Sequence, residues 1–206
     1  MKAPINIPFL IATFTHIKLR YGAAREAVQI SERLYRTIDR AIGRLQKATG
    51  IACVPGCGSC CERDTFDVHP VECFLLAFEL YRRGRLRDFE DFMRYGTEKR
   101  QCLFYTAQGN GNGSCSVYAW RPLTCRLFGF SSRKNKYGKQ ELVTCTAIKQ
   151  TGAFARANGY LTTTTTLSLS DYAYRLYALP AALPYKRAGI NEAIRAALMR
   201  IALITK

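Results

Sequence analysis

The sequence predicts an α+β fold that is mainly helical, with helices around a small cysteine-rich core of β-hairpin and loop. Three observations lead to this prediction. Apolar residues recur every three or four positions near both ends, four cysteines fall within CVPGCGSCC at 53–61, and short segments of strand-like composition follow. The length of 206 residues suits one domain. We therefore expect a single domain over 1–206 with its cysteine-cluster core at 53–145.

A long N-terminal amphipathic helix is predicted over 23–47. Its apolar side chains step by three or four residues from Ala27 to Leu45, which is the spacing of one buried helical face. Gly50 follows, and glycine commonly ends a helix. The cysteine stretch comes directly after it. Because that stretch contains proline and two glycines, we expect an irregular loop whose shape depends on what it binds.

The next helical region is predicted to begin at Pro70, since proline suits the first position of a helix. VECFLLAFELYRR continues it to Gly84, and RLRDFEDFMRYG forms a further helical piece. Then CLFYTAQGNGNGSCSVYAW predicts two short strands joined by a turn of glycine and asparagine, with Cys102 and Cys115 on the arms of the hairpin. GNGNG at 109–113 is interpreted as this turn rather than as a phosphate-binding loop, because no helix follows it.

Helices are predicted again over the C-terminal residues 168–206. Ser168 or Ser170 would cap the helix DYAYRLYAL, and GINEAIRAALMRIALITK carries a second amphipathic stripe.

Charge and hydropathy limit the classes of partner. No run of eighteen apolar residues occurs, so no membrane span is expected, and the short apolar segment 5–14 lacks a signal-peptide cleavage site. We therefore expect a cytoplasmic protein. The formal charge of +16 favours nucleic acid or an acidic protein as a partner, through RRGRLR at 82–87 and SSRKNKYGK at 131–139. The alternative is that these residues only solvate the surface.

Nine cysteines are an odd number and too few for a disulfide scaffold of this length, so metal or redox chemistry is favoured. Metal sites that combine cysteine with histidine are not favoured, because His16 and His69 are the only histidines. Cys60 and Cys61 are adjacent and their side chains should diverge, so they suit two centres, or two corners of one cluster, better than one small ion.

The spacing of the thiols favours an iron–sulfur cluster, as [4Fe–4S], over Zn²⁺. Structural zinc usually takes paired knuckles, whereas this chain has a C-x3-C-x2-C group followed by isolated cysteines. The alternative is a set of buried thiols without a ligand. Cys73 lies within an apolar helix and is expected to pack in the core. The candidate metal ligands are Cys53, Cys57, Cys60, Cys61, Cys102, Cys115, Cys125 and Cys145.

Two arginines bracket one candidate ligand, and we expect them to contact the metal cofactor. Arg121 and Arg126 stand on either side of Cys125, where positive charge would stabilise an anionic thiolate centre. The alternative is that they pair with helical carboxylates such as Glu72 or Glu79. Nearer the cysteine loop, Glu62 and Asp64 are candidate acceptors for hydrogen bonds around the ligands.

CVPGCGSCC, CLF, GSCSVYAWRPLTCRLFGF and the final Cys145 together resemble the YkgJ-like cysteine-cluster family, whose domain chelates zinc or iron. The resemblance covers about residues 53–145. It implies that the eight cysteines other than Cys73 are the ligands. A related domain occurs in the flagellin lysine methylase, which points to protein modification as one activity.

Two functional hypotheses follow. The first is a metalloprotein whose centre, an iron–sulfur cluster by preference, supports redox or group-transfer chemistry. The alternative is a zinc-stabilised module that presents a basic face to nucleic acid or an acidic protein. Metal delivery or storage is a third possibility. The sequence offers no nucleophile and base pair that would identify a catalytic residue.

Overall fold

The computed structural model describes residues 22–62, 67–109, 112–161, 167–182 and 185–205. The apolar segment 5–14, His16 and Asp64 lie outside the described residues.

Helices make up most of the described chain, which confirms the mainly helical α+β fold class. Single 3-10 turns precede or connect several of them, at Pro70–Cys73, Leu86–Phe89, Tyr118–Trp120 and Pro180–Ala182. The helices are α1 (Gly22–Thr49), α2 (Ser59–Glu62), α3 (Phe74–Arg82), α4 (Glu90–Tyr95), α5 (Leu123–Leu127), α6 (Thr146–Lys149), α7 (Ala153–Leu161), α8 (Leu169–Tyr177) and α9 (Ile190–Thr205).

The strands form antiparallel pairs rather than one continuous sheet. β1 (Asp67–Val68) pairs with β6 (Ala188–Gly189), β2 (Tyr105–Gly109) with β3 (Asn112–Cys115), and β4 (Ser131–Lys134) with β5 (Gln140–Val143). The predicted hairpin is therefore present, with Tyr105 opposite Cys115. Its cysteines differ from the prediction: Cys115 ends β3, but Cys102 lies three residues before β2. Leu103 donates its N–H to Asn191 at the start of α9, which fixes this approach outside the strand.

Helix α3 packs against both α1 and α9. The buried face of α1 includes Ala24, Tyr35, Ile38 and Leu45, all at most 2% exposed, and it packs against α3. On its other side α3 packs against α9, whose buried face includes Ile201. The helix predicted over 23–47 is thus confirmed as α1, and it ends before Gly50, whose φ of 74° suits glycine. No helix among the described residues is long and apolar enough to cross a membrane.

Two further predictions of helix ends are confirmed. Pro70 opens the turn before α3, where His69 caps the chain by accepting a hydrogen bond from the Val71 N–H. Ser168 caps α8 and accepts from the Asp171 N–H at 3.3 Å.

Candidate metal centre

The cysteine stretch at 53–61 is shaped by two glycines with positive φ and by contact with the β2–β3 hairpin. Gly56 and Gly58 have φ of 71° and 57°, and the Gly113 N–H donates to the Gly56 carbonyl at 2.7 Å. A Cβ at Gly58 would lie 2.8 Å from the Gly113 carbonyl carbon, so the loop approaches the hairpin more closely than any other residue type allows. This approach brings the thiols of the loop to those of the hairpin.

Five of the eight candidate ligands line one small cavity of about 40 Å³. The loop supplies two of them through the short helix α2, and the Cys102 N–H donates to the Cys61 carbonyl at 2.8 Å, which holds the next ligand against that helix. Leu76, Phe104, Val117 and Ile190 make the walls apolar. We call these five thiols the inner group: Cys60, Cys61, Cys102, Cys115 and Cys125.

The other three candidate ligands, the outer group, do not line this cavity. Cys53 is exposed, whereas Cys57 and Cys145 are half-buried, and Cys57 Sγ lies 3.0 Å from the hydroxyl of Ser59. Burial raises the pKa of Cys53, and the nearby thiolates of Cys60, Cys57 and Cys145 raise it further. The outer group is therefore within electrostatic reach of the inner one, at a more exposed position.

Protons are shared unequally within the inner group. Hydrogen bonding to Cys102, then to Cys115 and Cys60, raises the pKa of Cys61, and burial adds to the effect. The same contact with Cys61 lowers the pKa of both Cys60 and Cys115 to about 7, assisted by the charge of Arg121. Thiolates are the metal-binding form of cysteine. The inner group therefore presents acidic thiols around a protonated one, whose proton a metal cation would displace.

Burial is the main cause of a raised pKa at two more thiols. Burial raises the pKa of Cys125, which lines the deep side of the cavity, and that of Cys73, which is fully buried in α3's N-terminal turn. Cys73 belongs to the hydrophobic core, in agreement with the interpretation from its apolar surroundings.

Arg121 supplies the positive charge at the cavity. Its side chain lines the cavity, its guanidinium carbon lies 3.7 Å from the centre of the Tyr118 ring, and its Nε is buried with no hydrogen-bond partner among the described residues. A buried donor without a partner is costly unless an anion faces it. Arg121 is thus placed to balance negative charge on the thiolates.

Arg126 takes a different position from the one that the sequence suggested. Its side chain is 3% exposed, it donates at 2.6 Å to the carboxylate of Asp39 on α1, and it also donates to the Ala119 carbonyl at 2.7 Å. It is not among the residues that line the thiol cavity. This agrees with the alternative that an arginine here pairs with a helical carboxylate, although the partner is Asp39 and not Glu72 or Glu79. Arg126 therefore ties α5, which carries the candidate ligand Cys125, to α1.

Glu79 and Glu62 have no role at the cavity that the structure shows. Glu79 is fully buried and pairs instead with Arg82 and Arg83, at 3.0 and 3.7 Å. Glu62 is exposed at the end of α2.

Sequence reasoning named Glu72 only as a carboxylate that could pair with the arginines, whereas the structure gives it other partners. Its carboxylate is fully buried and accepts hydrogen bonds from the N–H groups of His69 and Thr124 and from the hydroxyl of Tyr177. Thr124 precedes Cys125, so this carboxylate holds the helix that carries a candidate ligand. The signal available in the sequence was its position three residues after a capping residue, where a glutamate commonly accepts from the cap N–H.

The donor set fits a metal, but its present arrangement does not match a single ion. All nine cysteines are free thiols, and eight sulfur donors suit zinc or an iron–sulfur cluster. In the part of the chain that the structure describes, no three Cys, His, Asp or Glu side chains converge so as to hold one metal ion.

Comparison with known proteins agrees with the metal interpretation. Residues 52–146 match the family model CxxCxxCC, described as a "putative zinc- or iron-chelating domain". This segment of the chain is a CxxCxxCC-family domain. It is the domain of the YkgJ-like proteins, so the predicted family is confirmed, and its description supports metal binding in general. No curated protein and no solved structure gave a significant match.

Proposed function

We propose that this chain is a metal-binding protein whose CxxCxxCC domain holds an iron–sulfur cluster in the inner thiol group. The observation that carries the proposal is the convergence of five thiols and one unpartnered guanidinium nitrogen on a single apolar cavity. Four of the five inner thiols, from Cys60, Cys61, Cys102, Cys115 and Cys125, would supply the ligands, with Arg121 balancing the charge. When bound, such a cluster would supply one-electron redox chemistry or support group transfer.

The arrangement of the cysteines along the chain supports a cluster over a single zinc ion. Structural zinc sites usually take paired cysteine knuckles, whereas the inner group combines the adjacent Cys60 and Cys61 with three single cysteines from later segments. Neighbouring side chains diverge, so Cys60 and Cys61 suit two irons of a cluster better than one small ion.

Zinc remains the second candidate because of the size of the cavity. Its volume of about 40 Å³ has room for about three water molecules, and thus for one ion without rearrangement. A four-iron cluster would require the surrounding side chains to rotate outward. The two candidates make different predictions for metal content.

The test is elemental analysis of the full chain purified without oxygen, with acid-labile sulfide and an absorption spectrum. Iron with an equal amount of sulfide and a broad absorption near about 400 nm would support the cluster. Zinc without sulfide or colour would support the second candidate. Protein free of both metals after growth in supplemented medium would overturn the proposal.

A pair of variants keeps this test specific to the inner group. Cys125→Ser removes a cavity thiol, whereas Cys73→Ser removes a core thiol outside the proposed ligand set. We expect metal loss only in the first. Equal metal loss in both would indicate that the loss follows from destabilisation and not from a missing ligand.

The two basic stretches, 82–87 and 131–139, differ in how far their side chains are paired within the protein. In 82–87, Arg82 and Arg83 pair with Glu79, Arg83 also lies 4.2 Å from the centre of the Trp120 ring, and Arg85 pairs with Asp88. Three of its four arginines therefore have carboxylate partners within the protein. We propose that the second stretch, at 131–139, is the one that contacts a polyanionic partner.

A further inference from the structure

The β4–β5 hairpin combines an exposed aromatic ring with free cations, and this combination is separate from the proposed metal centre. The tip of the hairpin carries Tyr137, which is 74% exposed. Lys134, Lys136 and Lys139 are exposed around it. We propose that this tip is a binding site for single-stranded nucleic acid.

The turn at the tip is held in one shape before any partner binds. The side-chain oxygen of Asn135 accepts from the N–H groups of Tyr137 and Lys139, at 2.9 and 3.1 Å, and the Asn135 carbonyl accepts from Gly138 at 2.9 Å. Gly138 has a φ of 75°, which this turn requires. The ring of Tyr137 is consequently presented to solvent at little further cost in conformational entropy on binding.

The base of the hairpin is fixed to the helical body. Leu142 is buried, and its N–H donates to the side-chain oxygen of Asn158 on α7 at 2.8 Å. Ser131 and Ser132, at the start of β4, are buried as well. The hairpin therefore projects from α7 as a supported arm with its charged end outward.

The cations at the tip are available to a partner. Arg133 pairs with Glu141 at 2.7 Å, and the Lys136 ammonium lies 4.9 Å from the centre of the Tyr137 ring. Within the described ranges, the ammonium groups of Lys134 and Lys139 have no partner. Residues 133–141 carry four basic side chains and one acidic one, so the tip has a net charge of about +3.

The chemistry at this tip matches a nucleotide strand better than it matches a folded acidic surface. A depression of about 420 Å³ is lined by Arg133, Lys134, Asn135, Lys136, Tyr137 and Glu141. That volume suits one planar base beside the tyrosine ring. Proteins that bind single strands without sequence preference stack bases on aromatic rings and neutralise phosphates with nearby cations. Tyr137 would stack the base, and the lysines would contact the phosphates.

The test is fluorescence anisotropy of the full-length, metal-loaded protein with a labelled oligothymidine of about 12 nucleotides, titrated at several salt concentrations. We expect Tyr137→Ala to weaken binding about tenfold and Tyr137→Phe to preserve it, because stacking needs the ring and not the hydroxyl. Replacing Lys134, Lys136 and Lys139 by alanine should reduce the slope of log affinity against log salt by about 2.

A matched control removes the same charge elsewhere. Arg40, Arg44 and Lys47 are exposed on α1, and their replacement by alanine should leave the affinity within about twofold. The proposal is overturned by absence of binding at low salt, by equal losses in the hairpin and control variants, or by an undiminished affinity of the Tyr137→Ala variant. Equal or tighter binding of the hairpin to a duplex or to vesicles of anionic lipid would also overturn it, because neither offers an unstacked base.

Discussion

The N–H of Thr124 donates a hydrogen bond of 2.7 Å to Oε2 of Glu72, across 52 residues of sequence. Thr124 is adjacent to the candidate ligand Cys125, and Glu72 lies in the 3-10 turn that precedes α3. The carboxylate thus links the core to the metal cavity, and it has no cation among the described residues to balance it. Three donors, two from the backbone and one from Tyr177, solvate it instead.

Removing this carboxylate should affect stability and metal content together. Glu72→Ala leaves two buried N–H groups unsatisfied, and each costs about 1–3 kcal/mol. Glu72→Gln retains the shape but loses one acceptor oxygen, so we expect a loss of about 2 kcal/mol in the free energy of unfolding. Weakening the hydrogen bond between Thr124 and residue 72 should let α5 shift, and this shift should also lower the metal bound per chain. Urea unfolding and metal analysis measure the two effects.

Glu79→Gln is the control for this prediction. Glu79 is also fully buried in α3, but it pairs with Arg82 and Arg83 and does not contact α5. Its replacement should lower stability and leave metal content unchanged. If both glutamine variants lose metal in the same proportion, Glu72 has no special role in positioning Cys125.

The sequence predicted those features that depend on local order. The spacing of apolar residues identified α1 to within two residues at each end, and capping chemistry identified the start of α8 at Ser168. The composition of 102–120 identified the β2–β3 hairpin. In each case the physical cause lies within one segment, so periodicity or a single residue type reveals it.

The features that the sequence did not predict depend on contacts between distant segments. Arg126 pairs with Asp39 across 87 residues, which no pattern near Cys125 indicates. The division of the eight thiols into inner and outer groups likewise depends on how the loop at 53–61 meets the hairpin. The position of Cys102 before β2 follows from its neighbour's hydrogen bond to Asn191 on α9. Such pairings arise from tertiary packing, which overrides local preference.

The contact between Gly58 and the hairpin predicts a second result. In Gly58→Ala the new Cβ would lie 2.7 Å from a Tyr105 ring carbon and 2.8 Å from the backbone of Gly113. The ring can rotate, but the backbone cannot move without separating the loop from β3. Thermal unfolding should therefore show a loss of more than about 2 kcal/mol, with reduced metal content.

Gly84→Ala distinguishes this clash from backbone strain. Gly84 has a φ of 68°, close to the 57° of Gly58, and a Cβ there would meet nothing within 4 Å. Its replacement should cost about 1 kcal/mol, from the left-handed conformation alone. Equal losses in the two variants would show that the loop does not depend on its close approach to the hairpin.

His69 predicts a dependence of stability on pH. Its Nδ1 accepts from the Val71 N–H at 3.3 Å, and its Nε2 lies 3.2 Å from the Tyr185 carbonyl, so the folded protein holds the neutral ring. Burial lowers the pKa of His69 below its usual value of about 6.5. As the pH falls below that value, the unfolded chain binds a proton before the folded one. The free energy of unfolding should therefore decrease from about pH 6.5 downward.

The His69→Asn variant isolates this contribution, since asparagine retains a capping acceptor and does not titrate. Between about pH 7.5 and 5.5 it should lose less stability in urea than the parent protein does. Protons bound by the thiols contribute equally to both and cancel in the difference. Parallel curves for His69→Asn and the parent would contradict the assignment of a lowered pKa.

The inner and outer thiols should differ in what their loss does to the metal centre. Cys61→Ser and Cys60→Ser remove proposed ligands from the cavity, so both should lower metal content and reduce the free energy of unfolding by several kcal/mol, as loss of a metal site does. Cys53→Ser removes an exposed thiol outside the cavity. It should retain the metal of the inner group and most of the stability. Metal per chain and melting temperature, measured on anaerobically purified protein, compare the three. Equal loss of metal from the Cys53 and Cys61 variants would mean that outer and inner thiols bind one shared centre, and the division between them would then be wrong.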